Sequence, residues 1–144
     1  LVVQLFATLF MVGLIWFVQI VHYPLFAKVG RTEFPKYEQA HQRLTSWVVG
    51  PMMLIEIGTA AVLPLSLTSH TTTWLAWLCL ALLIVIWLST WFLQVPAHHS
   101  LQVDGFCDAT HRKLVQTNWI RTVAWSLRGI LVVAIALLCV QSPP

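Results

Sequence analysis

The run Trp74-Leu75-Ala76-Trp77-Leu78-Cys79-Leu80-Ala81-Leu82-Leu83-Ile84-Val85-Ile86-Trp87-Leu88 continues to Ala97 without a charged side chain. It is longer than the ~20 residues a helix needs to cross ~30 Å of hydrocarbon. Its apolar residues are continuous, not alternating, which reads as a spanning helix and not as a barrel strand. Three more such runs lie at roughly 1–22, 45–67 and 115–140. The 144 residues are 58% hydrophobic and only 9% charged. A soluble domain of this size has too little interior for that much apolar surface. The expected fold is all-α: one integral membrane domain over 1–144, a four-transmembrane-helix up-down bundle.

Charge placement predicts the orientation. Lys28, Arg31, Lys36 and Arg43 flank the first connection, and Arg112 and Lys113 the third. The second connection, Ser66 to Thr73, carries no Lys or Arg, nor does the tail Gln141-Ser142-Pro143-Pro144. By the positive-inside rule the first and third connections face the cytoplasm and both termini face the other side. A bacterial inner membrane is the expected location. The net charge of +3 is spent on topology; no basic stripe with interleaved aromatics suggests nucleic acid. Cys79 and Cys139 fall within spans and Cys107 on the basic side, with no CxxC pattern or disulfide framework. A cleaved signal peptide is not expected, because the first run is long enough to span.

Two stretches of the chain resemble each other. Glu38-Gln39-Ala40-His41-Gln42-Arg43-Leu44 and Asp108-Ala109-Thr110-His111-Arg112-Lys113-Leu114 are each carboxylate-x-x-His, two polar or basic residues, then Leu. Upstream, Trp16-Phe17-Val18-Gln19-Ile20 precedes His22, and Trp91-Phe92-Leu93-Gln94-Val95 precedes His98. The chain therefore reads as two pseudo-symmetric helical hairpins, 1–67 and 74–140. Five of the six histidines fall on the basic side, and only His70 falls opposite. Residues i and i+3 share a helix face, so Glu38 can point inward with His41, and Asp108 with His111. Pro35 suits the first turn of the helix carrying Glu38. Asp104-Gly105 supplies a turn, with Asp104 as a cap for the helix carrying Asp108.

Soluble di-iron bundles place carboxylate-x-x-His pairs on two helices and single carboxylates on two others. Here the single positions are histidines, and the predicted ligand set is His22, Glu38, His41, His98, Asp108 and His111. Two metal ions are expected, iron first, with zinc or copper as variants. Gln19, Tyr23, Gln94, His99 and Asn118 are the residues expected to hold those ligands in place. The alternative for each half is a set of solvated residues at headgroup level.

Deeper in the bilayer, Glu56 and Arg128 lie at similar depths, and an unpaired charge there is costly. They are expected to pair, with Arg121 as the second choice for Glu56. A structural clamp is one reading of that pair and a functional site the other. Trp47, Trp74, Trp77 and Trp119 suit interfacial belts. Trp16, Trp87, Trp91 and Trp125 suit core packing or the wall of an apolar cavity.

Trp16-Phe17, Tyr23-Pro24-Leu25-Phe26, Phe34, Arg43-Leu44 and Pro51-Met52 resemble the HemJ-type protoporphyrinogen oxidase and related CopD-like four-helix membrane proteins over about a quarter of the chain. The resemblance implies a four-helix membrane fold and tetrapyrrole chemistry. That family's haem ligand lies early in the first helix, where this chain has no His, and His41 stands where the family pattern has an acidic residue. The size and four-span layout are also similar to the anthrone-oxygenase-like group.

The expected function is a membrane oxidoreductase with a dinuclear, O₂-activating centre at the cytoplasmic end, acting on a lipophilic substrate from the lipid bilayer. An electron-donor protein or membrane complex is a possible partner. One alternative is a haem- or tetrapyrrole-binding protein ligated by His22 with His98, or by His41 with His111. The other is a non-catalytic accessory subunit or metal transporter.

Overall fold

The computed structural model describes residues 1–141; the uncharged tail Ser142 to Pro144 lies outside them. Four helices make up the chain: α1 (Val2–Phe26), α2 (Phe34–Ser66), α3 (His70–Val103) and α4 (Asp108–Gln141). All four are long and apolar enough to cross a membrane, and no strand occurs among the described residues. The four apolar runs of the sequence thus become four spans of one integral membrane bundle. Neighbours around the square are α1–α2, α2–α3, α3–α4 and α4–α1, and the diagonal pairs make no close backbone contact. The bundle axis is therefore filled, or left open, by side chains alone. Between α1 and α4 the approach is close at Gly129, where an added Cβ would meet Val12 Cγ2 at 3.1 Å.

Helices α1 and α3 each contain a π-helical segment, Val18–His22 and Thr90–Gln94. Each ends two residues before a proline, Pro24 or Pro96. Proline lacks the N–H and crowds the carbonyl four residues back, and a wider turn relieves that clash. Buried glutamines in both segments tie these turns to α4. Gln19 donates to Val115 O at 3.2 Å and accepts from Asn118 Nδ2 at 2.8 Å. Gln94 donates to Thr117 Oγ1 at 2.9 Å.

The deep charges meet across a diagonal. Arg128 Nη1 of α4 lies 2.5 Å from Glu56 Oε1 of α2, and both side chains are fully buried. Thr8 donates to the same carboxylate at 3.0 Å and Trp125 Nε1 at 2.9 Å, so three helices converge on Glu56. Arg121 takes no part in this pair. At the other end of α3, Asp104 closes that helix and Gly105 turns the chain at φ 83°. Asp104 therefore ends α3 in place of capping α4, and at the start of α4 the Cys107 carbonyl accepts the His111 N–H at 2.9 Å.

Candidate functional site

The polar ends of α1, α2 and α3 converge one turn inside the loops. Glu38 is fully buried, and its Oε1 lies 2.5 Å from His98 Nδ1. The other ring nitrogen of His98, Nε2, shares a 2.9 Å hydrogen bond with the Tyr23 hydroxyl across the α1–α3 diagonal. His22 Nε2 and His41 Nδ1 are 2.9 Å apart, and Thr45 Oγ1 is 3.1 Å from the same His41 nitrogen. One ligand atom each from Glu38, His41 and His98 lie within 4.8 Å of one another. Gln42 holds the group together, donating to Glu38 Oε1 at 3.2 Å, to Gln102 Oε1 at 3.0 Å and to the His98 carbonyl at 3.3 Å.

Local structure explains this meeting. Phe34 and Pro35 open α2, and proline at a first helical turn forfeits no hydrogen bond. Glu38, His41, Gln42 and Thr45 then share one face by their spacings of three and four. The wide turns before Pro24 and Pro96 set the rotation of the segments that carry Tyr23 and His98. A layer of Phe26, Phe34 and Leu101, all fully buried, lies one turn nearer the loops. The Phe26 ring packs edge-on against His41 with centroids 5.1 Å apart, and against His22 at 5.2 Å. These rings cover the loop side of the cluster, in which Glu38 is buried and His22, His41 and His98 are half-buried.

Other predicted ligands lie apart from this group. Asp108 is exposed and pairs with Arg31 at 3.0 Å, joining two loops on the surface. As the first residue of α4 it lies beyond the bundle interior. His111 donates from Nε2 to the Tyr23 carbonyl at 2.7 Å. That carbonyl lies in the last turn of α1, where helical partners run out. His99 is exposed. Of the residues expected to support the ligands, Tyr23 touches His98 directly, whereas Gln19 and Asn118 bond each other. Sequence reading missed Gln42 and Thr45; the available signal was their position four residues after Glu38 and His41, on the same helical face.

A cavity of about 480 Å³ opens beneath the cluster. Its walls run along α2 from His41 to Leu54, roughly 20 Å of helix. His98, His41, Tyr23, Gln42, Gln94 and Arg121 make its polar end, and Met11, Ile15, Met53 and Trp87 line its depth. The lining residues Ser46 and Leu54 of α2 and Trp91 and Val95 of α3 are also exposed on the outer surface. The cavity therefore opens sideways between α2 and α3, toward the acyl chains. Trp87 and Trp91 form part of its wall, while Trp125 is core.

The donor set fits a cation. Glu38 Oε2 is buried and has no hydrogen-bond partner, and an unsatisfied buried carboxylate oxygen is costly. An ion between Glu38 and His98 would replace their direct contact. It would leave Tyr23 on His98 Nε2, the outer bond that metal-ligating histidines ordinarily make. Glu38, His41 and His98, with His22 beside them, supply four donors, the number one ion takes in a tetrahedral site. Comparison with protein-family models, curated proteins and solved structures finds no match to this chain.

Proposed function

We propose that the chain is a metal-dependent membrane oxidoreductase acting on a lipophilic substrate. Its centre is held by Glu38, His41 and His98, with His22 as fourth donor, and its substrate enters between α2 and α3. The observation that carries this reading is the partnerless, fully buried Glu38 Oε2 among convergent imidazoles at the closed end of an apolar cavity. Nitrogen and carboxylate donors suit iron, zinc or copper, and the redox reading selects iron. The geometry supports one ion in place of the two expected from the sequence, because Asp108 and His111 are engaged elsewhere.

A bound iron supplies electron transfer between substrate and dioxygen. In its simplest balance the substrate loses two hydrogens and dioxygen is reduced to hydrogen peroxide. The chain's own residues do the rest. Tyr23 orients His98, Phe26 and Phe34 cover the loop side of the cluster, and the apolar walls align the substrate. The basic residues around the first and third connections orient the cluster toward the cytoplasm.

Elemental analysis of detergent-purified protein, with an absorption spectrum on the same sample, tests this. We expect one iron per chain and no Soret band. His41→Ala and His98→Ala should lose the iron while helical circular dichroism is kept. A Soret band would move the assignment to haem, and an absence of stoichiometric metal would refute the metal reading.

A second reading rests on a different observation. Tyr23 Oη, His98 and Glu38 form an unbroken hydrogen-bonded chain at 2.9 and 2.5 Å. The order carboxylate, imidazole, hydroxyl is the one that activates a hydroxyl for proton transfer. That relay would act without metal. The iron content of the wild type separates the two readings: the first requires stoichiometric iron, the second none.

A further inference from the structure

We propose that Arg121 anchors the headgroup of the cavity's ligand, and that this ligand is a single-chain amphiphile ending in a carboxylate. The proposal rests on the cavity being the substrate site, and it assigns the class of substrate.

Arg121 is the one permanent cation in the cavity wall, and it is only 7% exposed. Its Nη1 donates to Asn118 Oδ1 at 3.3 Å, and its guanidinium lies 5.2 Å from the Trp125 ring centroid. Its Nε has no partner. Among the described residues no carboxylate forms an ion pair with it. Arg128, two turns deeper, is matched by Glu56. A charge inside the membrane is expensive and ordinarily faces a partner or a polar cavity. Arg121 faces a cavity, so the missing anion is one that the cavity admits.

The chemistry of that anion follows from the surroundings. One planar guanidinium matches one carboxylate, which it can hold by two parallel hydrogen bonds. No second cation stands ready for a phosphate dianion. The volume is in the range of sites that hold one drug-sized molecule, which suits one chain and not a two-chain phospholipid. Below the guanidinium the walls are apolar, with Met11, Ile15, Met53 and Trp87 placed to cover a hydrocarbon tail. Tyr23, which bonds His98, lines the same cavity as Arg121. A carboxylate anchored on Arg121 therefore shares the cavity with His41 and His98.

Binding of a fluorescent polyene fatty acid and of its methyl ester, to protein in phosphatidylcholine nanodiscs, tests the assignment. The wild type should prefer the acid by about tenfold or more, equivalent to about 1.4 kcal/mol. Arg121→Gln should abolish the preference by weakening the acid and leaving the ester unchanged, and Arg121→Lys should keep part of it. The preference should survive removal of metal by a chelator, and its survival is independent of whether the protein holds iron. An alkyl amine of equal length and phosphatidylglycerol should fail to displace the acid from wild-type protein, a measurement that needs no variant to fold. Equal binding of acid and ester would overturn the proposal, as would a preference that persists in Arg121→Gln. A preference lost on chelation would place the carboxylate on the ion, and displacement by phosphatidylglycerol would make the ligand an anionic phospholipid; either result overturns it.

Discussion

Replacing Glu56 by Leu should destabilise the bundle more than any other single change in its interior, and the structure gives the size of the effect. Glu56 accepts three hydrogen bonds, from Arg128, Thr8 and Trp125, and is fully buried. Removing it leaves Arg128 as an uncompensated buried charge, costing ~3–5 kcal/mol. It also strands the Trp125 N–H, at ~1–3 kcal/mol. Unfolded helices within a membrane find other polar partners, which favours the lower end, about 4 kcal/mol. Against a total stability of ~5–15 kcal/mol that is a large fraction. Arg128→Leu should cost less, roughly 2–3 kcal/mol, because Glu56 keeps two donors. The double variant leaves neither charge unpaired and should cost only ~1–3 kcal/mol, well below the sum of the singles. The assay is unfolding in mixed micelles by sodium dodecyl sulfate titration, read by tryptophan fluorescence. If the double variant matches the sum of the singles within ~0.5 kcal/mol, the two charges are not coupled and the clamp between α2 and α4 is refuted.

Three further outcomes are expected. Cys107 is exposed, and the Thr110 and Ala109 N–H groups hold its thiol below the ordinary thiol range. Because the thiolate is the reactive form, maleimide labelling should reach half its maximal rate at a lower pH in folded than in unfolded protein. The same residue reports orientation: a membrane-impermeant maleimide should label it in inverted vesicles and not in intact cells, and the reverse pattern would invert the topology. Gly50 lines the cavity, and an added Cβ there meets nothing within 4 Å. Gly50→Trp should therefore fold, keep its metal and lose affinity for the polyene acid; unchanged binding would place the ligand elsewhere. Phe26→Ala removes a fully buried ring above the cluster and should cost ~3 kcal/mol, with faster loss of iron to a chelator than in wild type.

Much of the site was legible because its signal is local. Glu38 and His41 are three residues apart on one helix, so their common face follows from helical geometry. The same logic applied to Asp108 and His111 assumed that the first turn of α4 faces the axis. Asp108 instead opens α4 at the surface beside Arg31, and His111 spends its Nε2 on a helix-end carbonyl. The matched Trp-Phe-x-Gln stretches also concealed an offset. Trp16 lies eight residues before Pro24, and Trp91 only five before Pro96. Each wide turn ends two residues before its proline, so the two halves differ in backbone register by nearly one helical turn. Which partners Tyr23 and Gln42 take, and where the cavity opens, depend on contacts between different helices: Tyr23 meets His98 across the α1–α3 diagonal, and Gln42 reaches Gln102 and the His98 carbonyl on α3.

Length and hydrophobicity of the runs determined the four spans, since a backbone in hydrocarbon must bond within its own segment and the thickness to be crossed is fixed. Intramembrane Glu56 and Arg128 likewise demanded partners at their own depth. Which side chains meet was decided only by the tertiary structure, through the rotation of each helix about its axis. A turn of about 100° per residue carries a ligand from the bundle axis to the lipid. That rotation is set by the π-helical turns before Pro24 and Pro96, by Gly129 against Val12, and by the ring packing around Phe26. These are contacts between segments far apart in the chain, and they gather Glu38, His41 and His98 at one end of the cavity while leaving Arg121 in its wall without a carboxylate partner.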